Sequence, residues 1–269
     1  MSVHLEDLIS LALDAGREIM SVRDKGFDTQ TKVDGSIVTI ADQHAELLIE
    51  QGLASLAPEV PMLGEEAVAD GRIPELGTRF FCVDPLDGTR GFAKGSDQFT
   101  VNIALIENGD PLMGVVYAPA NGELFAGEPG RALKGQCDLR TAALKAPPTA
   151  IAAHAFPPPR PRIVASDYSG RNERTTAFIA ALNGVSTHAS SSIKFCRLAE
   201  GAADLYPRFG EVNEWDAAAG HAILRAAGGD VMRLDGSPLR YGGRGSDFLI
   251  HGFVAFSGEA AKQAALKAL

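Results

Sequence analysis

Val83-Asp84-Pro85-Leu86-Asp87-Gly88-Thr89-Arg90-Gly91-Phe92 follows the apolar run Arg79-Phe80-Phe81-Cys82. Residues 79–83 read as a buried strand that ends on two carboxylates, Asp84 and Asp87. Pro85 fixes one backbone angle between them, and Gly88 permits a sharp turn just after. Two acids this close repel each other unless a cation sits between them. A hard divalent metal, which prefers oxygen ligands, suits the place. Gly88 and Thr89 then offer backbone N–H groups where a short helix can start, which suits a phosphate. Asp-Pro and Asp-Gly are also ordinary turn dipeptides, so from this stretch alone both readings stay open.

Bulk composition narrows the classes. The chain has 269 residues, enough for one large domain or two smaller ones, and 45% of them are hydrophobic. A formal net charge of -9 disfavours nucleic acid or an anionic membrane as main partner. Cys82, Cys137 and Cys196 form no Cys-x-x-Cys pair and lie among apolar neighbours, which fits free thiols in a reducing compartment. Glu6 and Asp7 interrupt any apolar run at the N-terminus, and no stretch approaches the roughly 18 apolar residues of a membrane span. A soluble cytoplasmic protein is expected.

Working outward from the motif, Leu5 to Met20 has helical spacing, Ser36 to Ile40 reads as a strand, and Asp42 stands where a helix cap would. Phe99–Ile106 and Met113–Ala118 read as strands joined by an Asn108-Gly109-Asp110 hairpin turn, and Glu123–Ala126 continues the meander. Residues 144–162 are rich in Ala and Pro, including Pro157-Pro158-Pro159, and mark a boundary between an N-terminal α+β part, 1–145, and a C-terminal α/β part, 160–269. In the second part, 162–166 reads as a strand, 172–182 and 193–200 as helices, and 204–207 as a short strand. Ala217 to Ala227 reads as a helix stopped by Gly228-Gly229.

Four more acids stand at element ends. Glu65 and Glu66 follow an apolar run and a glycine, Asp42 lies where a strand meets a helix, and Asp216 lies between Trp215 and an Ala-rich helix. Each has an ordinary explanation. Asp42 and Asp216 make good N-caps, and Glu65-Glu66 a solvated loop pair. Taken together, a cluster holding two or three Mg²⁺ ions accounts for all of them. Rival chemistries lack their motifs: there is no His-Glu-x-x-His, no Walker-type phosphate loop and no Gly-x-Ser-x-Gly elbow. A covalent Asp nucleophile wants its partner acid two residues away, not three.

With Gly64-Glu65-Glu66 upstream and Trp215-Asp216-Ala217-Ala218-Ala219-Gly220 downstream, Asp84-Pro85-Leu86-Asp87-Gly88-Thr89 resembles the inositol monophosphatase superfamily. Phe99–Leu105, Gly114–Pro119, Ser191–Cys196 and Ala203–Gly210 are more similar to its 3'(2'),5'-bisphosphate nucleotidase (CysQ-type) branch. The resemblance implies an α/β protein built as a layered αβαβα sandwich of the inositol monophosphatase/fructose-1,6-bisphosphatase type. It implies that Glu65, Asp84, the Leu86 carbonyl, Asp87 and Asp216 bind Mg²⁺, with Asp42 and Glu66 serving a further, weaker position. Thr89 and Glu65 would position the attacking water, and Lys32 would lie near the phosphate pocket. The phosphate would rest on Gly88 and Thr89, attack would be direct and in line, and Asp87 would be essential. Lithium inhibition is expected.

The substrate side is less typical. The branch usually carries Ser-Arg-Ser-His at 166–169, where this chain has Ser166-Asp167-Tyr168-Ser169. Before Trp215 it usually has Gly-Pro-Thr-Met-Glu; here Gly210-Glu211-Val212-Asn213-Glu214 stands. The branch also prefers an acid where Gly91 lies. Ser191, Lys194 and Arg208 remain as candidates to hold a second phosphate. The expected activity is therefore a Mg²⁺-dependent phosphomonoesterase, acting on 3'-phosphoadenosine 5'-phosphate or, alternatively, on inositol 1-phosphate or another small sugar phosphate. A metal-binding regulatory protein without turnover is the third reading. The resemblance implies either a monomer or a homodimer, since members of the family are found as both.

Overall fold

Leu5, Leu8, Ile9, Ala12, Ala15, Gly16, Ile19 and Val22 recur every three to four residues, and all lie on the buried face of α1 (Leu5–Lys25). The computed structural model describes residues 3–32, 35, 37–154, 160–165, 172–243 and 248–269. After the antiparallel pair β1 (Thr29–Thr31) and β2 (Ile37–Thr39), α2 (Ile40–Leu56) packs on α1. Then come β3 (Met62–Gly64), α3 (Glu65–Ala69), β4 (Arg79–Asp87) and α4 (Thr89–Phe92). A meander follows, of β5 (Thr100–Glu107), β6 (Asp110–Ala118), β7 (Glu123–Glu128), β8 (Arg131–Gln136) and β9 (Thr149–Ala150). The second half runs β10 (Arg162–Ala165), α5 (Glu173–Ala181), β11 (Val185–His188), α6 (Ile193–Ala199), β12 (Leu205–Arg208) and β13 (Val212–Asn213). It closes with α7 (Glu214–Ala226), β14 (Asp230–Arg233), β15 (Leu249–Ile250), β16 (Phe253–Phe256) and α8 (Glu259–Ala268).

These elements stack in five layers. α1 and α2 cover one face of a seven-stranded sheet, ordered β3-β4-β5-β6-β7-β8-β9. α7 crosses the other face over β4 to β7. It can lie so close because β6 and β7 present Gly114 and Gly127 to it. A Cβ at Gly114 would fall 2.4 Å from the Ala219 carbonyl oxygen, and one at Gly127 2.7 Å from the Ile223 Cα. α6 and α7 share the middle layer, and beyond them lies a five-stranded sheet ordered β11-β10-β12-β16-β14. α5 and α8 close the stack, with Phe178, Ala261 and Ala265 packed on Ile163, Leu205, Met232, Val254 and Phe256. This is the αβαβα sandwich. One core joins the two sequence halves, with Phe80, Val116 and Phe125 clustered with Phe195, Trp215 and Phe253.

Several expectations are corrected. The strand read to end at Val83 runs on to Asp87. Asp84 pairs with Asn102 and Asp87 with Thr100, so Pro85 and Leu86 together oppose Val101 alone. This is a bulge, and Pro85 tolerates it because it has no N–H to offer the ladder. In a regular strand, residues three apart face opposite sides. The extra residue cancels that offset and turns both acids to one side. Asp42 and Asp216 are not N-caps. Each is the third residue of a helix capped by Thr39 or Asn213, closing a reciprocal capping box. α2 therefore begins at Ile40, which the sequence reading gave to the strand, and α7 begins three residues earlier than expected. Within the boundary read at 144–162, Thr149–Ala150 adds to the first sheet beside β8. Pro157-Pro158-Pro159, the unusual segment 166–169 and Ser36 lie outside the described residues.

Candidate active site

The bulge decides the site. Carboxylate oxygens of Asp84, Asp87 and Asp216 lie within 4.8 Å of one another. Asp84 is 1% exposed; one oxygen accepts the Leu86 N–H at 2.9 Å, and Oδ2 is buried with no hydrogen-bond partner among the described residues. An orphaned, buried carboxylate oxygen beside two more acids is a donor set for a hard cation. Burial and the neighbouring carboxylates of Glu65, Asp87 and Asp216 push the Asp84 carboxyl well above the usual range. The same two causes, with Asp87 and Glu65 as neighbours, raise Asp216 to about 8. Burial raises Asp87 as well, opposed by the Lys194 ammonium and by hydrogen bonds from Ser192 and Asn102.

Ser192 ties the acids together across the two halves. Its hydroxyl donates to the Asp216 carbonyl at 2.8 Å, lies 3.4 Å from Asp87 Oδ2, and accepts from Asn102 Nδ2 at 3.0 Å. Gly88 follows with φ +105°, the left-handed region. A Cβ there would also lie 2.9 Å from both the Gln98 carbonyl oxygen and Ser191 Oγ, so glycine is needed for angle and for room. Thr89 Oγ1 lies 2.8 Å from Asp42 Oδ1 and 3.0 Å from the Leu86 carbonyl oxygen. The other Asp42 oxygen accepts the Thr39 N–H and hydroxyl at 2.8 and 2.6 Å. Both Asp42 oxygens are thus engaged, and Asp42 stands outside the three-acid group.

Glu65 and Glu66 stand beside that group, bridged by Lys32, whose Nζ donates to them at 3.0 and 2.7 Å. Burial alone would lower the Lys32 pKa, but the two carboxylates hold it above its ordinary value. Burial raises Glu66 to about 8, against the Lys32 hydrogen bond.

Beside the acids opens a cleft of about 720 Å³, lined by Glu65, Asp84, Leu86, Asp87, Gly88, Thr89 and Asp216. Ser191 and Arg208 line it too, as do Arg90, Lys94 and Gln98. Lys194 does not line it. Its Nζ donates to the Ser191 carbonyl at 2.7 Å and sits over the Tyr206 ring, and burial lowers its pKa to about 8. Lys194 therefore reaches the cleft only through Ser191 and through its charge behind Asp87. Sequence reasoning passed over Asn102, Ser192 and Glu46. Asn102 could have been found as the one amide in the apolar strand 99–106. Glu46 could have been found as an acid on the stripe Asp42, Ala45, Ile49, Leu53 that faces the core.

The inositol monophosphatase family model matches residues 3–268. The chain is 41% identical over 252 residues to a Shigella flexneri protein named 3'(2'),5'-bisphosphate nucleotidase CysQ, covering 93% of this chain and 98% of that one. Among solved structures, it is 35% identical to CysQ from Bacteroides thetaiotaomicron, described as a bacterial member of the inositol monophosphatase family. The TM-score is 0.76, with 94% of this chain and 96% of that chain covered. An inositol monophosphatase from Anabaena is 25% identical, with a TM-score of 0.74 and coverage of 98% and 94%. Matched from end to end by the family model and by members that share its layered fold, the chain belongs to the inositol monophosphatase family.

Proposed function

We propose that the protein is a Mg²⁺-dependent phosphomonoesterase that removes the 3'-phosphate of a 3'(2'),5'-bisphosphate nucleotide, releasing AMP from 3'-phosphoadenosine 5'-phosphate. The observation that carries this reading is that one cleft is lined both by the carboxylates of Asp84, Asp87 and Asp216 and by the cations Arg90, Lys94 and Arg208. A substrate with two phosphates could use the acids, through metal, for one and the cations for the other. Relatives at 41% identity that are named as bisphosphate nucleotidases support the same choice.

Asp84, Asp87 and Asp216 would hold Mg²⁺, with Glu65 and the Leu86 carbonyl as further donors and Asp42 and Glu66 nearer a weaker position. When bound, Mg²⁺ would neutralise phosphoryl charge and make water acidic enough to attack at neutral pH. Gly88 and Thr89 start α4, so their amides can receive phosphate oxygens. The Thr89 hydroxyl, donating to Asp42, would keep its lone pairs for a hydrogen of the attacking water, and Glu65 would take the proton. Attack would form the bond from the water oxygen to phosphorus as the P–O bond to the sugar breaks, and the departing oxygen would take a proton from solvent water and leave as a hydroxyl. Lysines 32 and 194 balance part of the acidic charge from either side.

Phosphate release from a substrate panel tests the proposal, run with Mg²⁺, with Mg²⁺ plus Li⁺, and with EDTA. The expected result is release from 3'-phosphoadenosine 5'-phosphate that needs Mg²⁺ and falls with Li⁺. Preference for inositol 1-phosphate would overturn the nucleotide reading and leave the phosphatase. No Mg²⁺-dependent release from any ester would overturn both.

A further inference from the structure

We infer that Glu46 is a positioning residue, which holds the Glu65–Glu66 arm of the site from behind, and that Gly64 is a glycine to make room for it. This rests on the metal reading above. α3 starts at Glu65 and its N-cap is Gly64, which has no side chain to receive the helix's free amides. The acceptor comes instead from α2. Glu46 Oε2 accepts the Glu66 N–H at 2.8 Å, and Oε1 accepts the Ala67 N–H at 2.7 Å. These are the positions that an N-cap side chain ordinarily serves. The Glu46 side chain is buried at 2% exposure.

Gly64 has φ -115° and ψ 149°, ordinary extended backbone that any residue adopts. Its constraint is space. A Cβ on Gly64 would lie 2.8 Å from the Glu46 carboxyl carbon and 2.8 and 3.0 Å from its oxygens. A serine in place of Gly64 could cap α3 locally, but not while Glu46 fills the place. The arrangement therefore couples two elements. A carboxylate on α2 grips two successive amides at the start of α3, fixing how its first turn is rotated. That rotation sets where the Glu65 and Glu66 carboxylates point, and with them the Lys32 bridge. Asp42 lies one helical turn before Glu46 on α2, so one helix orients both Thr89 and the glutamate arm.

The test compares wild type with Glu46→Gln, Glu46→Ala, Gly64→Ala and the pair Glu46→Ala/Gly64→Ser, by calorimetric titration with Mn²⁺ alone and by kcat and KM. Glutamine presents one acceptor and one donor, so one α3 amide loses its partner. Supports of this kind change metal affinity or activity about 10- to 100-fold. The expected result is a rise of that size in the weaker Mn²⁺ Kd and a matching fall in kcat, with KM changed less than about threefold. Gly64→Ala should do the same by pushing the Glu46 carboxylate away. In the pair, the introduced serine gains the room that Glu46 leaves and accepts an α3 amide, so Mn²⁺ affinity should recover relative to Glu46→Ala alone. A role in folding only would lower the melting temperature and leave Kd and kcat unchanged. Wild-type Kd and kcat in Glu46→Gln, or in Gly64→Ala if the former does not fold, would overturn the inference. A wild-type chain that takes up no Mn²⁺ would overturn the metal reading, and the inference with it.

Discussion

Asp84→Asn should stabilise the metal-free protein while removing its activity. The buried Oδ2 of Asp84 has no hydrogen-bond partner among the described residues, and one oxygen from each of the three carboxylates lies within 4.8 Å of the others. Two unit charges at that distance, with an effective dielectric near 20, repel by about 3 kcal/mol. At pH 8.5 Asp216, raised to about 8, is mostly ionised, and burial with the neighbouring carboxylates pushes Asp84 up as well. The asparagine therefore relieves this repulsion to the extent that Asp84 is ionised, and the gain grows with pH. In a chain of this size about 1 kcal/mol moves the melting temperature by roughly 2–3 °C, so the gain in EDTA should be roughly 5–10 °C. At pH 5 the gain should shrink, because Asp216 is then largely neutral. With Mg²⁺ the order should reverse. Wild type gains stability by linkage to the bound ion, while the variant gains little. Losing several kcal/mol of charge stabilisation corresponds to a fall of roughly 10³-fold in phosphate release. Thermal melts in EDTA and in Mg²⁺ at both pH values, with phosphate release alongside, measure all of this. A variant that melts below wild type in EDTA at pH 8.5, or keeps Mg²⁺-dependent release within tenfold, would refute the reasoning.

The wild-type protein in EDTA should lose stability as pH rises from about 4 to about 8. Burial raises Glu46 to about 7 and Glu66 and Asp216 to about 8, so across that window the folded state binds more protons than the unfolded state. Denaturant melts at stepped pH should show this slope, and saturating Mg²⁺ should flatten it. Thr89→Ala should lower kcat by roughly 10²- to 10⁴-fold, the range for a group that aligns the attacking water, and Thr89→Ser should restore most of it. Steady-state kinetics on both variants reads the difference. Ser192→Ala removes the link from Asn102 to the Asp216 carbonyl, and should weaken Mn²⁺ binding by about 10- to 100-fold in calorimetry.

The reaction end of the site was legible because it is nearly contiguous. Asp84 to Thr89 brings two acids, the bulge proline and the glycine of the turn within six residues. The bulge itself was not legible, because a register shift is a property of two strands and shows only when Asn102 and Thr100 are paired with it. The same limit misplaced Asp42 and Asp216. An acid near a helix start reads as a cap, but whether it is the cap or the third residue depends on whether Thr39 and Asn213 turn outward first. In the fold, β14, β16 and α8 were not read. Phe253-Val254-Ala255-Phe256 is too short an apolar run to assign by period, and Glu259–Ala268 is nearly all alanine on its inner face. The cleft walls were less legible still, since Arg90, Gln98, Ser191 and Arg208 come from segments that only the sandwich brings together.

The charge balance of the site explains why its two ends behave so differently in the sequence. Asp42, Glu46, Glu65, Glu66, Asp84, Asp87 and Asp216 form the acidic wall, while Lys32 and Lys194 are the ammonium groups packed against it. Burial raises the pKa of every one of these acids, which is how the metal-free protein tolerates the excess. An anionic phosphate approaching this wall meets repulsion, so cations must come first. At Asp84, Asp87 and Asp216 the requirement falls on residue type, because a carboxylate supplies both the charge and the oxygen donors, and two of the three sit in one readable motif. The cationic walls carry no such requirement. Any arginine or lysine that reaches the second phosphate of the proposed substrate would serve, from any of several segments, and Arg90, Lys94 and Arg208 are brought to one cleft only by the folded chain.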